Sequence, residues 1–145
     1  MNRIARIASS LALALLGGCY ATMARVSPRI EGRLLDHGRP VSGARVYLAT
    51  DAQAGRCGTV PGDAQASRSG VFTLDEVRQP QWVSPEPRYG SWTLCLAYAG
   101  RTYVGYSMSQ LDFPPARLRL DCELSEPQQR QAEHPAGIYG LCRRG

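Results

Sequence analysis

Five cysteines, two histidines and 12 acids are the side chains of this 145-residue chain best suited to catalysis or metal binding. Their spacing limits what each can do. Asp36 and His37 are adjacent, but neighbours on a strand-to-turn segment tend to point apart, a poor arrangement for a base and its orienting group. His134 stands alone in a polar C-terminal stretch. The chain has no Gly-x-Ser-x-Gly elbow, no His-Glu-x-x-His pair and no two carboxylates at a recognisable catalytic spacing. Cys57, Cys95, Cys122 and Cys142 lack the close C-x-x-C spacing of zinc sites. Asp51, Asp63 and Asp75 are twelve residues apart, whereas calcium takes about six to eight oxygens from alternate positions of one loop; they read as solvated charges. Every basic side chain is arginine, so no lysine is present to form an isopeptide crosslink. No catalytic residue, metal ligand or cofactor is expected.

Cys19 differs from the other cysteines in what precedes it. Arg3 and Arg6 give a positive start, and Ile7 to Leu16 is apolar, too short for a membrane-spanning helix of roughly 20 residues. The sequence Leu16-Gly17-Gly18-Cys19 resembles the lipobox of bacterial lipoprotein signal peptides. In that family the cysteine is diacylated on sulfur, becomes the first residue after cleavage and is acylated again on its amine. The resemblance implies that residues 1–18 are a signal peptide and that Cys19 is the lipidation site. Tyr20 stands where many inner-membrane lipoproteins carry a retaining aspartate. The implied location is therefore the outer membrane, on its periplasmic leaflet. Three acyl chains would make attachment permanent, where one chain gives only reversible binding.

An exported chain meets an oxidising compartment, so the four remaining cysteines read as two disulfides. Three connectivities are open from the sequence. Cys57–Cys95 with Cys122–Cys142 is favoured, each joining a strand to an irregular segment. Two of the 17 basic residues fall within residues 1–18, leaving 15 against 12 acids, a net charge of about +3. The arginines are scattered among acids, and no nucleic-acid partner is expected.

The elements holding these residues read as strands. Residues 19–28 are polar and irregular, a tether reaching at most roughly 35 Å. Ile30, Gly32 and Leu34 then alternate with Glu31 and Arg33. Turn residues occupy 36–40, and Ala44, Val46 and Leu48 alternate with Arg45 and Tyr47. Period-two patterning on both sides of a turn predicts two antiparallel strands with one face buried. Residues 51–69 read as a long loop pinned by Cys57. Phe72 and Leu74 face inward on a short strand, and a proline-rich connection, 80–87, carries Trp82. Trp92, Leu94, Leu96 and Tyr98 share one face of the next strand, against Thr93, Cys95 and Ala97. A turn at 99–101 leads into a strand over 102–106. Residues 111–115 form a linker, and Leu118, Leu120, Cys122 and Leu124 point inward beyond it. Residues 125–145 read as a polar tail whose apolar piece, Ile138 to Cys142, docks through a disulfide. No helical apolar stripe is present, and the pattern is that of an all-β domain of about seven strands.

The run from Glu31 to Leu48, with its glycine turn, Pro40-Val41 and Gly43-Ala44, resembles the start of a carboxypeptidase regulatory-like domain. Ser67 to Leu74 resembles a later hairpin of that family, and Tyr89 to Leu94 its "glycine, aromatic, x, leucine" strand. Ser69 replaces the usual turn aspartate or asparagine. The resemblance covers residues 29–124 and implies a single transthyretin-like, Ig-like antiparallel β-sandwich.

Such a fold hosts many functions. With the lipobox, the resemblance implies a non-catalytic interaction or envelope-support module, tied to the membrane by lipid and facing an envelope protein. Trp82 and Tyr89, among Pro80, Pro85 and Pro87, form a candidate binding surface that costs little entropy to order. Tyr103 and Tyr106 are further candidates, on an edge strand. The competing placement puts Trp82 as a cap on the core, with the tyrosines in core or cross-strand packing. The alternative function is a transthyretin-like hydrolase or small-ligand-binding protein. The 5-hydroxyisourate hydrolases of that fold use histidines, an arginine and a characteristic C-terminal tetrapeptide; Leu141-Cys142-Arg143-Arg144-Gly145 does not match it.

Overall fold

The computed structural model describes residues 21–50, 56–58, 62–83, 89–111, 113–125, 129–131 and 138–145. Cys19, Asp51, Pro85, Pro87 and His134 lie outside the described residues. Within them the regular elements are all strands: β1 (Ala21–Arg25), β2 (Arg29–Asp36), β3 (Arg39–Pro40), β4 (Arg45–Ala49), β5 (Gly62–Gln65), β6 (Val71–Leu74), β7 (Arg78–Trp82), β8 (Tyr89–Tyr98), β9 (Arg101–Leu111), β10 (Arg117–Glu123), β11 (Gln129–Gln131), β12 (Ile138–Gly140) and β13 (Cys142–Arg144). Thirteen strands thus replace the expected seven. The surplus is mostly short edge strands, whose sequences carry little alternation.

Two sheets face each other across one core. The first has the order β13-β10-β2-β3, with β6 also paired to β2; the second runs β11-β12-β9-β8-β4-β5. Alternation decides which side chains enter the core. Ile30, Leu34, Phe72, Leu74, Leu118 and Leu120 come from the first sheet, and Val46, Leu48, Trp92, Leu94 and Leu96 from the second. Each aliphatic side chain fully buried in this way is worth about 1.5–3 kcal/mol. Gly32 lies on the same inward face, and the Phe72 ring fills the space where its side chain would stand.

Most pairings are antiparallel, but β2 and β10 are parallel over seven residue pairs, from Arg29↔Arg117 to Leu35↔Glu123. Both strands start from the same end of the sandwich, which makes this the one parallel pairing among the described strands of an otherwise antiparallel fold.

The β8–β9 hairpin contains a bulge. Leu94 pairs Tyr106 and Cys95 pairs Val104, leaving Gly105 as the extra residue. A Cβ on Gly105 would press on Cys142 Sγ and Leu96, and one on Gly140 would strike the Gly105 carbonyl. The chain therefore passes the bulge at closest range where both residues are glycine. At this point it changes sheets. Tyr139 pairs Ser107 in the second sheet, and Cys142 pairs Cys122 in the first. The Cys122–Cys142 disulfide fastens this crossing, so the end of the expected polar tail closes one side of the sandwich.

Two segments read as irregular are paired. Ala21–Arg25 runs antiparallel to Arg78–Trp82 as a separate two-stranded ribbon. Pro80 sits in β7 opposite Met23, a position open to proline because this strand is an edge. Gly62–Gln65, expected within a long loop, pairs with β4.

Candidate functional site

The sandwich has two ends of different chemistry. At one end the strands reverse in tight turns. His37 and Gly38 both have positive φ (51° and 73°), as do Ala99 and Gly100 (49° and 73°), the backbone that two-residue hairpins require. Glu123, the last residue of β10, reaches the first of these turns. Its carboxylate accepts hydrogen bonds from the His37 N–H (2.7 Å), the Gly38 N–H (3.1 Å), the Ser125 N–H (3.3 Å) and the Ser125 hydroxyl (2.6 Å).

Partial desolvation pushes the Glu123 carboxyl up, but the bonds from Ser125, Gly38 and His37 outweigh it and hold the group below its ordinary value. A carboxylate with a depressed folded pKa contributes stability above its unfolded pKa and loses that contribution as pH falls through the folded one. Wild type should therefore lose melting temperature more steeply than Glu123→Gln once pH drops below about 4.3. Melting curves between pH 7 and pH 2.5 test this, and parallel profiles for the two proteins would contradict it.

His37 also departs from expectation. Its Nδ1 lies 2.9 Å from Asp36 Oδ1, because the left-handed backbone at His37 swings the ring back toward its neighbour. The pair is exposed at the hairpin tip, with the His37 side chain 81% accessible. The nearby Ser125 hydroxyl bonds to Glu123. This arrangement orders a turn.

The candidate aromatic residues do not form one surface. Tyr106 is 1% exposed and stacks on Trp92 with ring centroids 5.5 Å apart; its hydroxyl accepts a bond from Arg144 Nε. Tyr103 is partly buried against the same core. The Gly105 bulge turns both tyrosines inward, where strict alternation would set them on opposite faces. Trp82 and Tyr89 are different, at 63% and 79% exposed. Trp82 does not cap the core; it ends β7, opposite Ala21.

Of the acids weighed for calcium, Asp63 meets Arg45 at 2.8 Å and Asp75 meets Arg29 at 3.7 Å. Among the described residues no three histidines, cysteines or acids gather as metal ligands. The Cys57–Cys95 disulfide lies on the outer face of the second sheet, with Tyr47, Ala49 and Ala97 packed around it. Sequence reasoning missed Glu123, because the turn it holds at His37 and Gly38 is 85 residues away and the contact follows only from the parallel pairing of β2 and β10. It also missed Leu111, which pairs Tyr89, and Phe113, both exposed, because they read as linker.

No protein-family model matches the chain, and comparison with characterised proteins finds no match.

Proposed function

We propose that this protein is a lipid-anchored, non-catalytic module of the bacterial envelope, a lipoprotein whose body is a carboxypeptidase regulatory-like sandwich. The observation that carries the proposal is Leu16-Gly17-Gly18-Cys19 behind a short apolar run with two arginines. The two disulfides are in keeping with an oxidising compartment. The body's polar pairs tie turns and strands, and the Asp36–His37 contact is exposed at a hairpin tip. Its role is to support the envelope or to present a surface to another envelope protein, from the periplasmic leaflet of the outer membrane.

Replacing Cys19 tests the anchor. In Cys19→Ala cells the protein should accumulate as unprocessed precursor without acyl chains, while still melting like the wild-type body. Gel mobility, incorporation of labelled fatty acid and a melting curve of the purified precursor measure this. A variant still released as a normal mature lipoprotein would overturn the proposal.

A further inference from the structure

The ordered fold begins almost at the proposed anchor. Only Tyr20 separates Cys19 from Ala21, the first residue of β1, so two peptide units hold their Cα atoms within about 8 Å of each other. Ala21 in turn pairs with Trp82. The expected ten-residue tether is thus reduced to two residues, and the part of the body that meets the bilayer is decided by what lies around β1.

The register settles which end that is. β4 runs toward Ala49, which pairs Thr93 near the start of β8, and Tyr89 at that start pairs Leu111 at the end of β9. Gln79 of β7 donates to Thr50, just past β4. Arg29, the first residue of β2, donates its N–H to the Ala116 carbonyl, just before β10. The ribbon and the starts of β2, β8 and β10 therefore share one end, opposite the His37-Gly38 and Ala99-Gly100 turns.

Among the described residues eight large apolar or aromatic side chains stand exposed, and six belong to this end: Met23, Trp82, Val83, Tyr89, Leu111 and Phe113. The other two, Val71 and Tyr98, lie toward the far turns. Single exposed apolar residues are ordinary, but a set gathered at one end of a small body marks a contact surface. Tryptophan and tyrosine prefer the headgroup level of a bilayer, where an apolar ring meets a wet edge. Acids offset part of the positive charge nearby: Arg25 and Arg78 share Glu76, and Arg29 meets Asp75.

We propose that this end of the sandwich docks into the headgroup layer of the membrane that holds the Cys19 lipid, with Trp82, Tyr89 and Phe113 as its aromatic tips. The anchor and the tips then act together. The lipid keeps the end at high effective concentration against the surface, and the tips fix the body's orientation on it. The opposite, turn-bearing end faces away from the bilayer. This inference rests on the lipid-anchor reading but is tested separately from it.

The full chain, extracted from the envelope, is reconstituted into phosphatidylethanolamine–phosphatidylglycerol vesicles with plain or brominated acyl chains. Bromine quenches indoles that lie in the membrane. Of the two tryptophans, Trp92 is sealed in the core and Trp82 is at the tip. Wild-type emission should fall in brominated vesicles, and Trp82→Phe should abolish that fall. On the Trp82→Phe background, Phe113→Trp should restore quenching and Tyr98→Trp, at the far end, should not. Equal emission from wild type in both vesicle types, or quenching of Tyr98→Trp as strong as that of Phe113→Trp, would overturn the docking.

The mass of the N-terminal peptide in the same sample separates the two claims. Acylated but unquenched protein keeps the anchor and refutes the docking. Unacylated protein that is still quenched on mixing with vesicles keeps the docking and refutes the anchor. Unacylated and unquenched protein refutes both.

Discussion

Reduction of both disulfides is expected to lower the melting temperature by about 25 °C, the largest stability effect predicted for this fold. The Cys57–Cys95 and Cys122–Cys142 bridges span 38 and 20 residues. Loop-closure entropy removed from the unfolded chain makes them worth about 4 and about 3 kcal/mol. Their sum is comparable to the ~5–15 kcal/mol net stability of an ordinary domain. The two bridges should also fail differently. Losing Cys122–Cys142 frees the strand that crosses from the second sheet to the first, so amide protection should be lost around Leu141 to Arg144 before global unfolding. Losing Cys57–Cys95 releases a cover from the outer face of the second sheet and leaves the core between the sheets intact. Melting curves of Cys142→Ser and Cys57→Ser, each with its partner also replaced by serine, test this. A reduced protein that melts like the oxidised one would contradict it.

Trp92→Ala should cost about 3–5 kcal/mol, the range for deleting a large aromatic from a packed core. Trp92 is 1% exposed and stacks on Tyr106 between the two sheets, and Tyr106 in turn accepts the bond from Arg144 on β13. The cavity therefore opens beside the C-terminal crossing as well as in the core. Trp92→Phe should cost much less. The Trp92 indole N–H is buried with no hydrogen-bond partner among the described residues, and an unsatisfied buried donor costs about 1–3 kcal/mol, which phenylalanine avoids. Chemical denaturation of the two variants decides the matter. Equal losses for alanine and phenylalanine would show that the indole makes a polar contact and that packing is not what Trp92 chiefly supplies.

The strands with one buried face were legible in the residues, and those without one were not. Arg117 to Glu123 alternates because one sheet face meets the core and the other meets solvent, and Ile30 to Leu34 follows the same pattern less sharply. Trp92 to Leu96 alternates in residue type although both faces are buried, the outer one around Cys95, Tyr47 and Ala49. β1 and β7 pair only with each other, bury little beyond Ala24, and so impose no alternation; Pro80 added a misleading turn signal. The parallel β2–β10 pairing was hidden for another reason. Each strand alternates the same way whichever direction its neighbour runs, and only the register shows the difference.

The aromatic residues divide along the same physical line. Tyr103 and Tyr106 sit three apart, which strict alternation assigns to opposite faces. The bulge at Gly105 inserts one residue and turns both rings to the core, and nothing in the composition of residues 101–111 beyond a single glycine signals it. For Trp82 the residues left two placements open, a cap on the core or an exposed surface, and only its pairing at the end of β7 shows it exposed; Tyr89 is exposed as well. Their closeness to the start of the fold was not legible, because that depends on the pairing of Ala21 with Trp82.

The central claim is that the body is held to a membrane through Cys19. The most direct measurement is the intact mass of the protein extracted from its native envelope. The account predicts a chain beginning at Cys19, lacking residues 1–18 and heavier by three acyl chains. A chain that still begins at Met1, or one with an unmodified Cys19, would contradict it.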